Sequence, residues 1–177
     1  MMRRALFAGM ALAVATAGAG GTHAMEAPMI IAGGELDPAY YQGADVYLAT
    51  PRPPDVPPVR ACKLAESYIA LVNAGEYAAV AALYADNATF LEPMRKTLRG
   101  REEIEAFYTG QIGSMKPILA AVSYLGNDRE CMVEIALQTE IGGEPRFVLV
   151  SIDHFILGAD GKIVSMTAFG RPPRKVE

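Results

Sequence analysis

The 177-residue chain has few cysteines: only Cys62 and Cys131, far apart and in no motif. Their spacing excludes a zinc site built on paired cysteines. They stand as two buried thiols or as one disulfide, and both readings stay open. Basic residues are in no excess. The formal net charge is −4, so the chain lacks the electrostatic footprint of a nucleic-acid binder. No P-loop, heptad run or internal repeat occurs. The most apolar stretch, residues 5–18, is made largely of Ala and Gly and is too weakly apolar for a comfortable membrane span. What is left is one domain of ordinary globular composition, large enough to bury its own core.

The chain opens on Met1-Met2-Arg3-Arg4, a short basic start, followed by the small-residue apolar run and by Thr22-His23-Ala24. A basic start, an apolar middle and a small-residue exit make a secretory signal peptide, residues 1–24. Export to the periplasm or the medium is the expectation, with no membrane anchor after cleavage; a true start at Met25 would leave the protein in the cytoplasm. Residues 25–60 form an extension whose stretch Thr50-Pro51-Arg52-Pro53-Pro54-Asp55-Val56-Pro57-Pro58 is proline-dense and extended. It is expected to be a tail without chemistry, although Val46-Tyr47-Leu48 has the composition to pack on the domain. The folded domain spans 61–177.

Residues 61–74 carry Leu64, Tyr68, Leu71 and Val72 at helical spacing, and Gly75 supplies the stop. Residues 77–84 read as a second, short helix with Tyr77, Val80, Ala81 and Tyr84 aligned, and Asp86-Asn87 as a turn. Residues 88–92 form a strand in which Phe90 and Glu92 share a face, and Pro93 keeps Glu92 extended. A third helix covers 102–115, its inner stripe being Ile104, Phe107, Tyr108, Gln111 and Met115. Strands follow over 118–125, 131–140, 147–157 and 162–169. Helices first and an antiparallel meander afterwards predict an α+β domain with the helices packed on one face of a curved sheet. Helices laid across such a sheet enclose a deep apolar pocket.

The strand over 147–157 is apolar, rich in β-branched and aromatic residues, and reads as buried on both faces. On a period of two, Leu149, Ser151, Asp153, Phe155 and Leu157 share one face. Asp153 is then a carboxyl among large apolar neighbours, and it must pair, bind a metal or keep its proton. A buried Asp satisfied by hydroxyls or backbone is the bland account. Tyr68, Tyr84 and Tyr108 each lie on the apolar stripe of a different predicted helix, where a core ring with a partnered hydroxyl is the common case. Glu92 is either a solvated strand end or a second inward carboxyl. Taken together these residues support a sharper reading. Two carboxyls in unlike environments can split acid–base work, one ionised as base and the other protonated as donor.

Several stretches resemble the ketosteroid isomerases (steroid Δ5-isomerases) of the NTF2-like superfamily. Tyr68-Ile69-Ala70-Leu71-Val72-Asn73-Ala74-Gly75 is similar to that family's first-helix segment, and Leu83-Tyr84-Ala85-Asp86-Asn87-Ala88-Thr89 to its second-helix exit. Leu91-Glu92-Pro93 matches the position of its base. Gly100-Arg101-Glu102-Glu103-Ile104-Glu105-Ala106-Phe107-Tyr108 matches its third helix, Ser151-Ile152-Asp153-His154-Phe155 the strand with its protonated aspartic acid, and Gly161-Lys162-Ile163-Val164-Ser165-Met166 its last strand. The resemblance implies an NTF2-like cone, with three N-terminal helices on a curved antiparallel sheet. It implies an isomerase acting on a steroid-like ketone, an apolar small molecule, with no cofactor and no metal. Glu92 would move the proton, Tyr68 and neutral Asp153 would form the oxyanion hole, and Tyr84 and Tyr108 would extend the hydrogen-bond network behind Tyr68. Phe107, Leu149, Met166 and Ala168 would line the substrate cavity, and the protein would be a homodimer. The family's base is usually Asp, whereas this chain has Glu92, and Gly170 stands where some members have an aromatic wall residue. Two other readings share these features. One is a SnoaL-like enzyme of the aldol or cyclase type; the other is a non-enzymatic periplasmic binder of apolar ligands.

Overall fold

A computed structural model describes residues 46–47, 54–94, 96–141 and 143–171. The expected signal segment 1–24 lies outside the described residues, as does most of the 25–60 extension.

Helix α1 (Arg60–Ala74) buries Ala61, Cys62, Ala65, Tyr68, Ile69 and Val72, a stripe at spacings of three and four that faces the sheet. It is fastened at both ends. The Arg60 backbone N–H donates to Asp128 Oδ1 at 2.9 Å, so an acid from a distant turn satisfies one of the helix's free N-terminal donors. At the other end Gly75 takes a φ of 74°, and the N–H groups of Gly75 and Glu76 close on the carbonyls of Val72 and Leu71, a left-handed stop that glycine adopts without steric cost. Asn73 brackets Leu119, donating to its carbonyl at 2.9 Å and accepting from its N–H at 2.7 Å. Cys62 and Cys131 form a disulfide that ties α1 to the sheet, which resolves the alternatives left open for the two thiols.

Helix α2 (Tyr77–Ala82) is shorter than the expected 77–84, and strand β2 (Tyr84–Leu91) begins at Tyr84. Tyr84 is therefore a strand residue, and Asp86-Asn87 lies inside β2 rather than in a turn. Tertiary pairing decides the point: Tyr84 sits opposite Ile163, and the Leu83 carbonyl accepts from Ile163 N–H at 2.9 Å. The helical spacing of an Ala-rich segment is a weak preference beside that pairing. A short strand β3 (Thr97–Arg99) returns along β2. Helix α3 (Arg101–Phe107) runs on through a π-helical turn, Tyr108–Ile112, and a last α-helical turn, Gly113–Met115.

The long strands are β4 (Leu119–Gly126), β5 (Glu130–Ile141), β6 (Glu144–Leu157) and β7 (Ile163–Gly170). The sheet order is β3-β2-β7-β6-β5-β4, and strand β1 (Val46–Tyr47) pairs with β6 at Val148 and Phe147. Part of the N-terminal extension thus docks on the domain. Every pairing is antiparallel except β2 with β7, which is parallel. The architecture is the expected α+β one: helices packed across one face of a curved sheet.

Two details of β6 differ from the expectation. Ile135 pairs with Ser151 and Ala136 with Leu149, leaving Val150 as an extra residue, a β-bulge. The bulge breaks the period of two, so Leu149 and Ser151 do not share a face. The outer face of β6 is also not buried: Ile152 is 42% exposed, beside Phe169 at 55%. Among the described residues no helix is long and apolar enough to cross a membrane.

Candidate active site

One cavity lies between the helices and the inner face of the sheet. Tyr68 from α1, Phe90 and Glu92 from β2 and its exit, Phe107 from α3, Tyr108 from the π-helical turn after it, and Asp153 from β6 all line it. The two carboxyls thus face the same space. Met166 and Ala168 line it as expected, but Leu149 does not. Val150, the bulge residue, lines the cavity in its place, and Leu149 borders a second depression with Ile152 and Phe169, which Ser151 and Gly170 also edge. Gly170 also borders the cavity, and a Cβ there would meet Pro93 Cβ at 3.3 Å. The close approach of the Glu92-Pro93 turn to β7 leaves little room for a side chain at position 170.

Asp153 is 5% exposed, and burial pushes its carboxyl up from 3.8 to about 7. The hydroxyl of Ser151 donates to Asp153 Oδ1 at 2.8 Å and pulls the other way, because it favours the anion. Burial wins, as an uncompensated charge in an apolar wall costs more than one hydrogen bond returns.

The three tyrosines form a chain. Tyr84 Oη lies 3.0 Å from Tyr108 Oη, and Tyr108 donates to Tyr68 Oη at 3.0 Å. Tyr84 also reaches Met166 Sδ at 2.7 Å. With Tyr108 donating to it, the proton of Tyr68 remains available to a third group. All three phenols are pushed well above their usual value, burial being the first cause. For Tyr68 the second cause is the negative field of Asp153, which places the phenol and the carboxyl within electrostatic reach of each other. The ring of Tyr68 packs edge-on against Phe155, with centroids 5.1 Å apart, so β6 supports the tyrosine as well as carrying the acid. The displacement of Tyr84 from helix to strand leaves it in the network, since its side chain still points inward and is fully buried.

Glu92 is 3% exposed. Its Oε2 accepts from Met94 N–H at 3.0 Å and its Oε1 from Lys96 N–H at 2.7 Å. The loop after β2 therefore curls around the side chain and fixes both oxygens. A carboxylate has about four lone-pair sites, so lone pairs remain for a ligand. Among the described residues no group of three or more His, Cys, Asp and Glu is arranged to hold a metal ion. Two cavity residues were not singled out from the sequence. Ser151 could have been found as the residue two before Asp153 on one strand face. Thr139 lies on the inner face of β5 with Val133, Ile135 and Leu137, and its buried hydroxyl has no hydrogen-bond partner among the described residues.

Residues 65–166 match the SnoaL-like domain family. The chain is 36% identical over 107 residues to the steroid Delta-isomerase of Nocardioides simplex, a match covering 59% of this chain and 85% of that protein. Solved structures agree in fold. RV0760c of Mycobacterium tuberculosis, in complex with estradiol-17beta-hemisuccinate, superposes with a TM-score of 0.53 at 18% identity, covering 63% of this chain and 93% of its own. The epoxide hydrolase/cyclase-like enzyme SalBIII of salinomycin pyran ring formation superposes with a TM-score of 0.52 at 21% identity, covering 62% and 88%. A matched domain over more than half the chain, a steroid Delta-isomerase relative and a shared cone make one consistent set: the chain belongs to the SnoaL-like family on the NTF2-like fold, and it is an enzyme of the ketosteroid-isomerase-like or SnoaL type.

Proposed function

We propose that this enzyme is a Δ5-3-ketosteroid isomerase that moves a carbon–carbon double bond into conjugation with a ketone. The observation that carries the reading is the placement of Asp153, whose carboxyl burial in an apolar wall raises to about 7, and of Tyr68, at the end of a donor chain, on the cavity that also holds Glu92.

In this reading Glu92 removes a proton from the carbon between the ketone and the double bond. The C–H electron pair becomes the new double bond of a dienolate, and the negative charge gathers on the carbonyl oxygen. Tyr68 Oη–H and the carboxylic O–H of Asp153 donate to that oxygen. Donors already in place where charge develops commonly supply the greater part of the rate enhancement in such reactions. The Glu92 carboxylic acid then returns the proton at the far end of the dienolate, the double bond shifts, and the carboxylate is regenerated. The apolar walls from Phe90, Phe107 and Met166 accept a hydrocarbon skeleton and exclude the water that would weaken both hydrogen bonds.

The test is ultraviolet absorbance of the conjugated enone formed from a 5-ene-3-ketosteroid, run on the wild type beside Glu92→Gln. The wild type is expected to generate the absorbance, and the variant to lose the rate while still binding a phenolic steroid. No enone from the wild type, or equal rates in both proteins, overturns the reading. The exposed Ile152 and Phe169 on the outer sheet face support a homodimer as a further part of this proposal, which light scattering tests.

A further inference from the structure

We infer that Thr139 is a second polar contact for the substrate, holding an oxygen at the end of the skeleton remote from the reacting ketone. The inference rests on the steroid reading above and adds a substrate feature to it. Thr139 is 5% exposed and lines the same cavity as Asp153, and its Oγ1 is a buried hydroxyl without a hydrogen-bond partner among the described residues. Buried polar groups are nearly always paired, and one left unpaired carries a desolvation cost with no return. The hydroxyl is closed off from the cavity as it stands, and a rotation of the Thr139 side chain would turn it toward a ligand oxygen that supplies the missing partner.

Its position fits that role. Asp153 lies opposite Val133 on β5, and Thr139 is six residues further along the same strand. At ~3.3 Å per residue the separation along the strand is about 20 Å. Side chains and a hydrogen bond of ~2.8 Å at each end leave on the order of 10–15 Å between two ligand oxygens, the scale of a fused four-ring skeleton. Between the two ends the wall is apolar, with Ile135 and Leu137 on β5. The far end is closed by the segment after α3: Pro117 lines the cavity, and the Ile118 carbonyl accepts from Gln138 N–H at 2.8 Å. A threonine hydroxyl both donates and accepts, so either a ketone or an alcohol is suitable at this end. A purely hydrocarbon end would leave the hydroxyl unpaired.

The experiment is calorimetric titration of the full chain with two phenolic steroids that differ only in an oxygen substituent at the end remote from the phenol. The wild type is expected to bind the oxygenated ligand about 3- to 10-fold more tightly, the ratio that one neutral hydrogen bond yields. Thr139→Val, close to isosteric, is expected to erase the ratio, and Thr139→Ser to keep it. Equal affinities in the wild type overturn the inference without recourse to any variant, as does a ratio that survives in Thr139→Val. If neither ligand binds, the inference and the steroid reading both fail. A ratio that depends on Thr139 in a protein that forms no enone supports the inference and removes the isomerase reading alone.

Discussion

Ser151 Oγ and Asp153 Oδ1 are joined by a 2.8 Å hydrogen bond within the cavity wall. The two residues are neighbours on one strand face, and this bond is the one influence that lowers the carboxyl against the effect of burial. It also occupies one oxygen of the acid and leaves the other for the proton that the proposed oxyanion hole requires. If neutral Asp153 is the donor, activity falls as pH rises through about 7. Ser151→Ala removes the lowering influence, so the alkaline limb of the pH–rate profile should move to higher pH. A limb unmoved in Ser151→Ala would separate it from Asp153.

The same carboxyl links stability to pH. Its value is 3.8 in the unfolded chain and about 7 in the folded one. Between those values the native state holds a proton that the unfolded state has released, so the contribution is fully present below pH 4 and declines until about pH 7. Three units correspond to about 4 kcal/mol. Asp153→Asn carries no titrating group, so its stability relative to wild type should rise by up to that amount between pH 4 and pH 8. Denaturant titrations at the two pH values measure it. A difference that does not change with pH would mean the buried acid ionises freely.

The tyrosine chain predicts a graded loss. Tyr68→Phe removes a donor of the proposed oxyanion hole and should lower kcat on the order of 10²–10³-fold. Tyr108→Phe leaves that donor in place but removes the bond behind it, at 3.0 Å, and should cost roughly 3- to 10-fold. Equal losses in the two variants would show that the network acts as one unit.

The position of Tyr68 depends on where α1 sits, and the Cys62–Cys131 bridge holds it. The bridge closes a loop with a sequence separation of 69 residues. Constraining the unfolded chain over such a loop is worth about 4 kcal/mol. The double variant Cys62→Ser, Cys131→Ser should lose stability on that scale in urea titrations. A loss below about 1 kcal/mol would mean that the Asp128 contact and the Asn73 bracket hold the helix without help.

The elements that carry the site were legible where local pattern and tertiary structure agree. The stripe of α1, the inner face of α3 and the acid in β6 all follow from hydrophobic period. The exceptions share a cause. Tyr84 looks helical from its neighbours, and its strand conformation comes from pairing with Ile163, far away in sequence. Leu149 lies on the predicted face by simple alternation, and one inserted residue at Val150 turns it to the other side. The unpaired hydroxyl of Thr139 is a property of its surroundings, which no local pattern encodes. Ser151, by contrast, lies two residues from Asp153, and its role needed only the question of what a buried acid bonds to.

Glu92 gives the remaining prediction. The resemblance sets Asp at this position in most relatives, so Glu92→Asp would restore the common form. The loop around the side chain argues against any gain from that change. Met94 and Lys96 N–H groups hold Oε2 and Oε1 at 3.0 and 2.7 Å, a cradle built for the longer side chain. Removing one methylene withdraws the carboxylate by ~1 Å, and a displacement of that size at a reacting group can cost on the order of 10²-fold. Glu92→Asp should therefore lower kcat by about that factor while leaving the affinity for a phenolic steroid nearly unchanged. If the shorter acid works as fast as the wild type, the loop contacts do not position the base.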